Sequence, residues 1–160
     1  MSLFRRRQFL LGAVALGGCG FEPVYQTGGN AQGLRGAVLV DPPTDRDSFD
    51  LVEQLEQRLG RPTAPRFAMS VKLITKEEGL AISDSNDITR FNVIGSADYA
   101  VRAIGSDEIL LQDRVDSFTA YSASQQPVAT LSGERDARAR LMVTLADKIT
   151  AQLLISTELR

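Results

Sequence analysis

Several residue types that carry chemistry in other proteins are missing or scarce in this chain. Its 160 residues include no histidine, no tryptophan and a single cysteine. These absences exclude a Ser-His-Asp triad, a Cys-His pair, a zinc site with histidine ligands and a cluster of thiolates. An enzyme would have to rely on carboxylates, lysine, tyrosine or serine. We therefore expect no enzyme, no catalytic residue, no metal site and no cofactor.

The charge balance argues against a nucleic-acid partner. Lysine and arginine total 18, aspartate and glutamate total 20, and the formal net charge is −2. No basic stripe is visible, and aromatic residues for base stacking make up only 6% of the chain. A hydrophobic content of 43% in a chain of this length is enough for one domain with a sizeable core.

The first eighteen residues have the layout of a bacterial secretory signal. Three arginines at 5–7 precede an apolar stretch over 9–16, which is shorter than the roughly 20 residues of a membrane-spanning helix. Residues 6–10, RRQFL, also resemble part of the twin-arginine export motif. We predict a signal peptide over 1–18, with a buried core helix as the alternative. Both the general secretory and the twin-arginine export routes remain open.

The single cysteine follows this signal directly. Leu16-Gly17-Gly18-Cys19 resembles the lipobox of bacterial lipoproteins, which implies cleavage before Cys19 and acylation of its thiol. A free buried cysteine is the alternative. Each buried methylene contributes about 0.8 kcal/mol, and stable anchoring takes more than one acyl chain. The lipid on Cys19 is the one covalent group that we expect, and Gly20 in place of an aspartate favours the outer membrane.

The pattern of the remaining chain predicts one α+β domain. Residues 19–36 are rich in glycine, asparagine and glutamine, as in a flexible tether. From there we predict a strand over 37–40, a helix over 48–59, strands over 67–76, 89–103 and 109–121, and a helix over 132–157. The order β-α-β-β-β-α favours a two-layer sandwich over 37–160, with two helices packed on one face of a mainly antiparallel four-stranded sheet.

This prediction rests mainly on two segments. Between Phe91 and Ala103 apolar and polar residues alternate, as they do in a strand with one buried and one solvated face. In the last segment an apolar residue recurs at every fourth position, as on the buried stripe of a helix. The members of that stripe are Ala137, Leu141, Leu145, Ile149 and Leu153. The first helix is expected to start at a cap on Asp47 or Ser48 and to end before Gly60.

The chain resembles the LptE family of lipopolysaccharide-assembly lipoproteins, in the form seen in alphaproteobacteria. The resemblance rests on the lipobox with the following CGFEPVY at 19–25, the element order, the alternation around RFNV at 90–93, and the final helix. It covers essentially the whole chain.

This resemblance implies a role in binding and assembly. Members of the family lie as a plug inside the outer-membrane β-barrel LptD, help it to assemble, and take part in inserting lipopolysaccharide into the outer leaflet. The implied partners are an LptD-type barrel, lipopolysaccharide and, through the lipid, the membrane. The implied location is the outer membrane of a Gram-negative cell, facing the periplasm.

The resemblance also suggests where lipopolysaccharide contacts lie. Basic residues near a strand turn bind it in family members, but the turn at 84–87 is acidic here and the site cannot be transferred as such. Arg90 is the nearest candidate, and Lys72, Lys76 and Arg102 on the same predicted solvated face are further candidates. Their guanidinium and ammonium groups suit the phosphates of lipid A. Ordinary surface charges are the alternative for each residue.

Two other functions remain open at this point. An auxiliary lipoprotein of another envelope or lipid transport system would share the anchor and the small fold. An enzyme would need two carboxylates that converge in a cleft. The acidic clusters that could supply them are Asp84 with Asp87, and Asp113 with Asp116, which are otherwise explained as turn and solvated-face residues.

Replacing the cysteine tests the anchor. Cys19→Ala removes the thiol that receives the diacylglyceryl group, so we expect incorporation of labelled palmitate to fall to background. The measurement is autoradiography of the immunoprecipitated protein, with the parent chain as the positive control. Continued palmitate incorporation by the variant would refute the lipobox interpretation.

Overall fold

The chain folds as a four-stranded sheet with two helices on one of its faces. The computed structural model describes residues 33–82, 88–123, 126–156 and 159. In chain order the elements are β1 (Val38–Val40), α1 (Arg46–Leu59), β2 (Phe67–Ile82), β3 (Ile88–Ala103), β4 (Ile109–Ser122) and α2 (Pro127–Ile155). This order and the two-layer α+β architecture confirm the prediction from sequence.

The strands lie in the order β1-β2-β3-β4. β1 is parallel to β2, with Val38 opposite Phe67, and α1 forms the connection that a parallel pair requires. The pairs β2–β3 and β3–β4 are antiparallel, so these three strands form a meander. β1 and β4 are therefore the two edges of the sheet. No helix in the described part of the chain is both long enough and apolar enough to cross a membrane.

The first helix begins earlier than its pattern predicts. Asp45 is the N-cap: its carboxylate accepts a hydrogen bond from the Ser48 N–H at 2.8 Å, and the Ser48 hydroxyl accepts one from the Asp45 N–H at 2.9 Å. This reciprocal capping box shows that the predicted cap at Asp47 or Ser48 is wrong, because both residues lie inside the first turn. Gly60, with a φ of +80°, ends the helix as predicted.

Other boundaries also differ from those expected. β2 continues from 76 to 82 because pairing with β3 persists after the apolar alternation has ended at Glu77 and Glu78. α2 starts at Pro127 rather than 132, since proline is well suited to the first turn of a helix. Leu34, within the predicted tether, is buried in the core. The described residues do not include the signal peptide, residues 19–32 of the tether with Cys19, or the turn at 84–87.

The core lies between the helices and the facing side of the sheet. All five predicted stripe residues of α2, from Ala137 to Leu153, are fully buried, and they pack on alternate residues of β3. Tyr99 of β3 is buried among them, and its hydroxyl is 2.7 Å from the Gln152 Oε1, to which it donates. Burial, with a contribution from Asp113, raises the pKa of Tyr99 to about 12.

A half-buried polar cluster joins both helices to the sheet beside this core. The Arg138 guanidinium of α2 bonds to Asp47 of α1 at 2.9 Å and to Glu134 of its own helix at 3.0 Å. It also approaches Glu77 of β2 to 4.0 Å. Burial and a hydrogen bond with Glu77 raise the pKa of Tyr121 in β4 to about 12. One guanidinium shared by three carboxylates thus fixes the relative position of three elements.

α2 packs tightly against the sheet at Gly95. A Cβ atom built on Gly95 would lie 2.9 Å from the Leu141 Cδ2 and 3.1 Å from the Leu145 Cδ1. Both leucines are fully buried in the core, where interiors are close-packed. The missing side chain in the middle of β3 therefore sets how closely the helix packs.

Adding one methyl group at this point tests the packing. We expect Gly95→Ala to lower the free energy of unfolding by about 1–2 kcal/mol, because overpacking a filled core costs energy. Gly133→Ala in α2 is the matched control, since its Cβ would meet only ordinary contacts at 3.7 Å on Tyr121. Relief of the glycine penalty should make this control more stable by up to about 1 kcal/mol. Urea denaturation measures both, and a Gly95→Ala variant as stable as the parent would contradict the argument.

Candidate functional site: the open face of the sheet

The sheet face opposite the helices is not covered by any element in the described part of the chain. Strand register places on it the even-numbered residues of β3, those of β2 as far as Glu78 and those of β4 from Gln112 onward. Beyond the register shift in β4, Ile109 lies opposite Arg102. We call this surface the open face. Its residues with charged or large apolar side chains are Lys72, Ile74, Lys76, Glu78, Arg90, Ile94, Asp98, Arg102, Ile109, Arg114, Asp116 and Phe118.

An apolar patch occupies the middle of the open face. Phe118 is 67% exposed and Ile74 is 50% exposed. Phe118 lies directly opposite Ile94 of β3. Ile74 of β2 is a diagonal neighbour of Ile94, because Ile74 lies opposite Ser96. We call these three residues the apolar patch. Sequence alternation predicted a polar solvated face, whereas large exposed apolar side chains that lie together are typical of a contact surface.

Ser96 lies within the apolar patch and is buried, although alternation placed it on the solvated face. It stands between Ile74 and Asp116 on the adjacent strands and is only 7% exposed. Its hydroxyl has no hydrogen-bond partner among the described residues. A buried hydroxyl without a partner typically costs about 1–3 kcal/mol, and such groups are rare in folded proteins.

The register confirms that the four candidate lipopolysaccharide contacts share one face, but it does not bring them together. Arg90 and Arg102 lie near opposite ends of β3, about 40 Å apart at the usual rise per residue. Lys72 lies opposite Asp98, and the Lys76 ammonium bonds to Glu78 at 2.6 Å. The four residues therefore form a line of separate charges, and their role as contacts stays a prediction.

Sequence reasoning missed Arg114 of β4 as a fifth cation on the open face. Its guanidinium bonds to Asp116 at 3.3 Å and lies 3.7 Å from Asp98. The mixed pattern of β4 hid this residue, because only the pairing of Arg114 with Asp98 shows which face it occupies. The open face thus carries more basic than acidic side chains, with the two signs interspersed.

A groove lies where the open face meets the outer edge of β4. Its volume is about 380 Å³. It is lined by Asn92, Ile94, Asp116, Ser117, Phe118 and Lys148. Because Lys148 belongs to α2, the groove extends from the apolar patch around the edge strand toward the helix layer.

The carboxylates considered for catalysis do not converge where the structure describes them. Asp113 lies opposite Tyr99 on the helix side, whereas Asp116 lies opposite Ser96 on the open face. Asp84 and Asp87 lie outside the described residues. Among the residues that are described, no group of three or more acidic or cysteine side chains is placed to hold a metal ion.

Solved structures with the same fold come from several bacteria. A candidate lipoprotein of Caulobacter crescentus superimposes with a TM-score of 0.65 at 20% identity, covering 78% of this chain and 92% of that one. Rare lipoprotein B of Shewanella oneidensis gives 0.56 at 11% identity, covering 73% and 91%. A minor lipoprotein of Acinetobacter baumannii gives 0.56 at 15% identity, covering 74% and 88%. At these identities the likeness establishes the fold alone.

Sequence comparison supplies the family. No curated protein sequence matches this chain. A family model described as "LptE: Lipopolysaccharide-assembly" matches residues 36–153, which include all four strands, α1 and most of α2. This chain belongs to the LptE lipopolysaccharide-assembly family.

Proposed function

We propose that this protein is an outer-membrane lipoprotein that plugs an LptD-type β-barrel, helps it to assemble, and takes part in inserting lipopolysaccharide into the outer leaflet. The observation that carries the proposal is the family match over 36–153, which spans the folded domain almost from end to end. The LptE family is not known for enzymatic activity, in keeping with an assembly role.

The dimensions of the sheet are compatible with a plug. β2 and β3 each contain 16 residues and extend about 53 Å. The apolar band of an outer-membrane barrel is about 25 Å tall, so this hairpin is long enough to extend through it. The lumen of a large barrel is polar and hydrated, and the interspersed charges of the open face suit such surroundings.

The position of the anchor is compatible with the same arrangement. The roughly 14 residues between Cys19 and Gly33 reach at most about 50 Å when fully extended. Acyl chains on Cys19 in the inner leaflet therefore leave room for the domain to enter the lumen from the periplasm. Two or more chains would make the attachment stable.

Photocrosslinking in living cells tests the plug. A photoreactive phenylalanine analogue is placed singly at Phe118 on the open face and at Phe49 on α1, which are 67% and 53% exposed. A lumen encloses the domain, so both positions should form adducts with the same large outer-membrane barrel, identified by mass spectrometry. Phe67 is the matched control, because it is buried and should form no adduct with the barrel.

The crosslinking result also separates the alternatives. Adducts with an inner-membrane transporter would support an auxiliary lipoprotein of another transport system and contradict the plug. Adducts with the barrel at Phe118 alone would indicate one-sided contact without enclosure. Absence of barrel adducts at both exposed positions would refute the proposal.

Neutralising the candidate contacts tests lipopolysaccharide binding. An exposed charge contributes up to about 1 kcal/mol, so we expect the combined change to Gln of Lys72, Lys76, Arg90 and Arg102 to weaken binding by roughly tenfold or more at low salt. The measurement is fluorescence titration with lipopolysaccharide, alongside urea denaturation, which should show unchanged stability. The matched control is the change to Gln of four exposed arginines elsewhere, Arg35, Arg46, Arg61 and Arg135. Equal losses of affinity in both variants would show that net charge, rather than the position of these cations on the open face, determines binding.

A further inference from the structure

β4 presents a long outer edge of the sheet. It contains 14 residues and pairs with β3 on one side only. The Ala123 N–H donates to the Thr89 carbonyl just beyond the end of the strand, which shows that odd-numbered residues of β4 bond to β3. The N–H and C=O groups of even-numbered residues therefore point outward. Such an edge is a template for another strand.

Two cationic side chains of α2 donate hydrogen bonds to carbonyls that point outward from this edge. The Lys148 ammonium donates to the Asp116 carbonyl at 2.5 Å, and the Arg140 guanidinium donates to the Ala120 carbonyl at 3.2 Å. The Arg140 guanidinium is also paired with Asp136, which holds it in place on the helix surface. We call Lys148 and Arg140 the guard residues.

The spacing of the guarded carbonyls matches the edge-to-edge pairing of two copies of this chain. Phe118 lies midway between Asp116 and Ala120, and no described residue of α2 bonds to its backbone. If two β4 edges met antiparallel about a two-fold axis at Phe118, Asp116 of one copy would face Ala120 of the other. In each such pair, the Asp116 carbonyl of one copy and the Ala120 carbonyl of the other would accept hydrogen bonds across the interface. These are the two carbonyls to which the guard residues bond.

The side chains on the open face would favour the same register. Phe118 of each copy would lie opposite its equivalent, and an aromatic cross-strand pair contributes favourably. Its 67% exposure would be reduced in that pair, and the groove beside it would be covered. The edge is thus self-complementary in register and apolar contact, and the bonds from the guard residues to its carbonyls at 116 and 120 oppose the pairing.

We propose that the outer edge of β4 is a strand-addition surface whose fitting partner is a second copy of this chain, and that Lys148 and Arg140 keep it closed. A charge-assisted bond from each guard residue must break before the partner's N–H can reach the carbonyl. The lipoprotein therefore stays monomeric with its open face accessible. This inference does not depend on the identity of the barrel partner.

Removing the guard residues tests the proposal. In the full-length protein in detergent, we expect the double variant Lys148→Met and Arg140→Met to tighten self-association by about tenfold or more, which corresponds to about 1.4 kcal/mol. Sedimentation equilibrium at graded concentrations measures the change, and circular dichroism verifies the fold. The matched control, Arg46→Met with Arg135→Met, removes two exposed cations away from the edge and should leave association unchanged.

The register is tested by an introduced cysteine. In the guard-free background, Phe118→Cys should oxidise to a dimer linked through position 118, whereas Ile74→Cys on β2 should not. Peptide mass spectrometry separates this bond from any formed by Cys19. Unchanged sedimentation of the guard-free variant, or equal crosslinking at 74 and 118, would overturn the proposal. If the Met variant loses its structure, the same measurements on Lys148→Gln with Arg140→Gln decide the matter.

Discussion

The contact between α2 and β3 is the constraint on which the rest of this structure depends. The stripe of α2 is fully buried, and it lies against β3, which has a neighbouring strand on both sides. Gly95 permits the close approach, because any side chain at that position would meet Leu141 and Leu145. With the helix held there, α1 is left to pack beside it, and the two helices are joined by Arg58 with Asp147 and by Arg138 with Asp47.

Because both helices pack on one face of the sheet, the other face remains exposed outside the core. A small α+β domain builds one core, and here the buried hydrophobic cluster lies on the helix side. The apolar patch and the buried Ser96 on the open face are therefore not part of the core. They lie among charges of both signs, a combination that suits contact with a hydrated, polar partner surface better than burial in a dry interface.

The two edges of the sheet differ in length and in what contacts them. β1 has only three residues, so it offers little to an incoming strand. β4 is long, and its carbonyls at 116 and 120 are occupied by side chains from α2. α2 thus supplies both the buried stripe of the core and the side chains that protect the edge of β4.

The sequence by itself determined the features whose signals are local. The alternation in β3, the stripe of α2 and the order of the elements follow from side-chain periodicity. The lipobox around Cys19 is a prediction from four adjacent residues. Only the tertiary structure decided the rest. Strand register set Arg114 beside Asp98 and Phe118 beside Ile94, and the packing of α2 brought Lys148 and Arg140 to the edge of β4. Periodicity shows which side of an element is buried, but the free energy that fixes register and edge contacts comes from residues far apart in the chain.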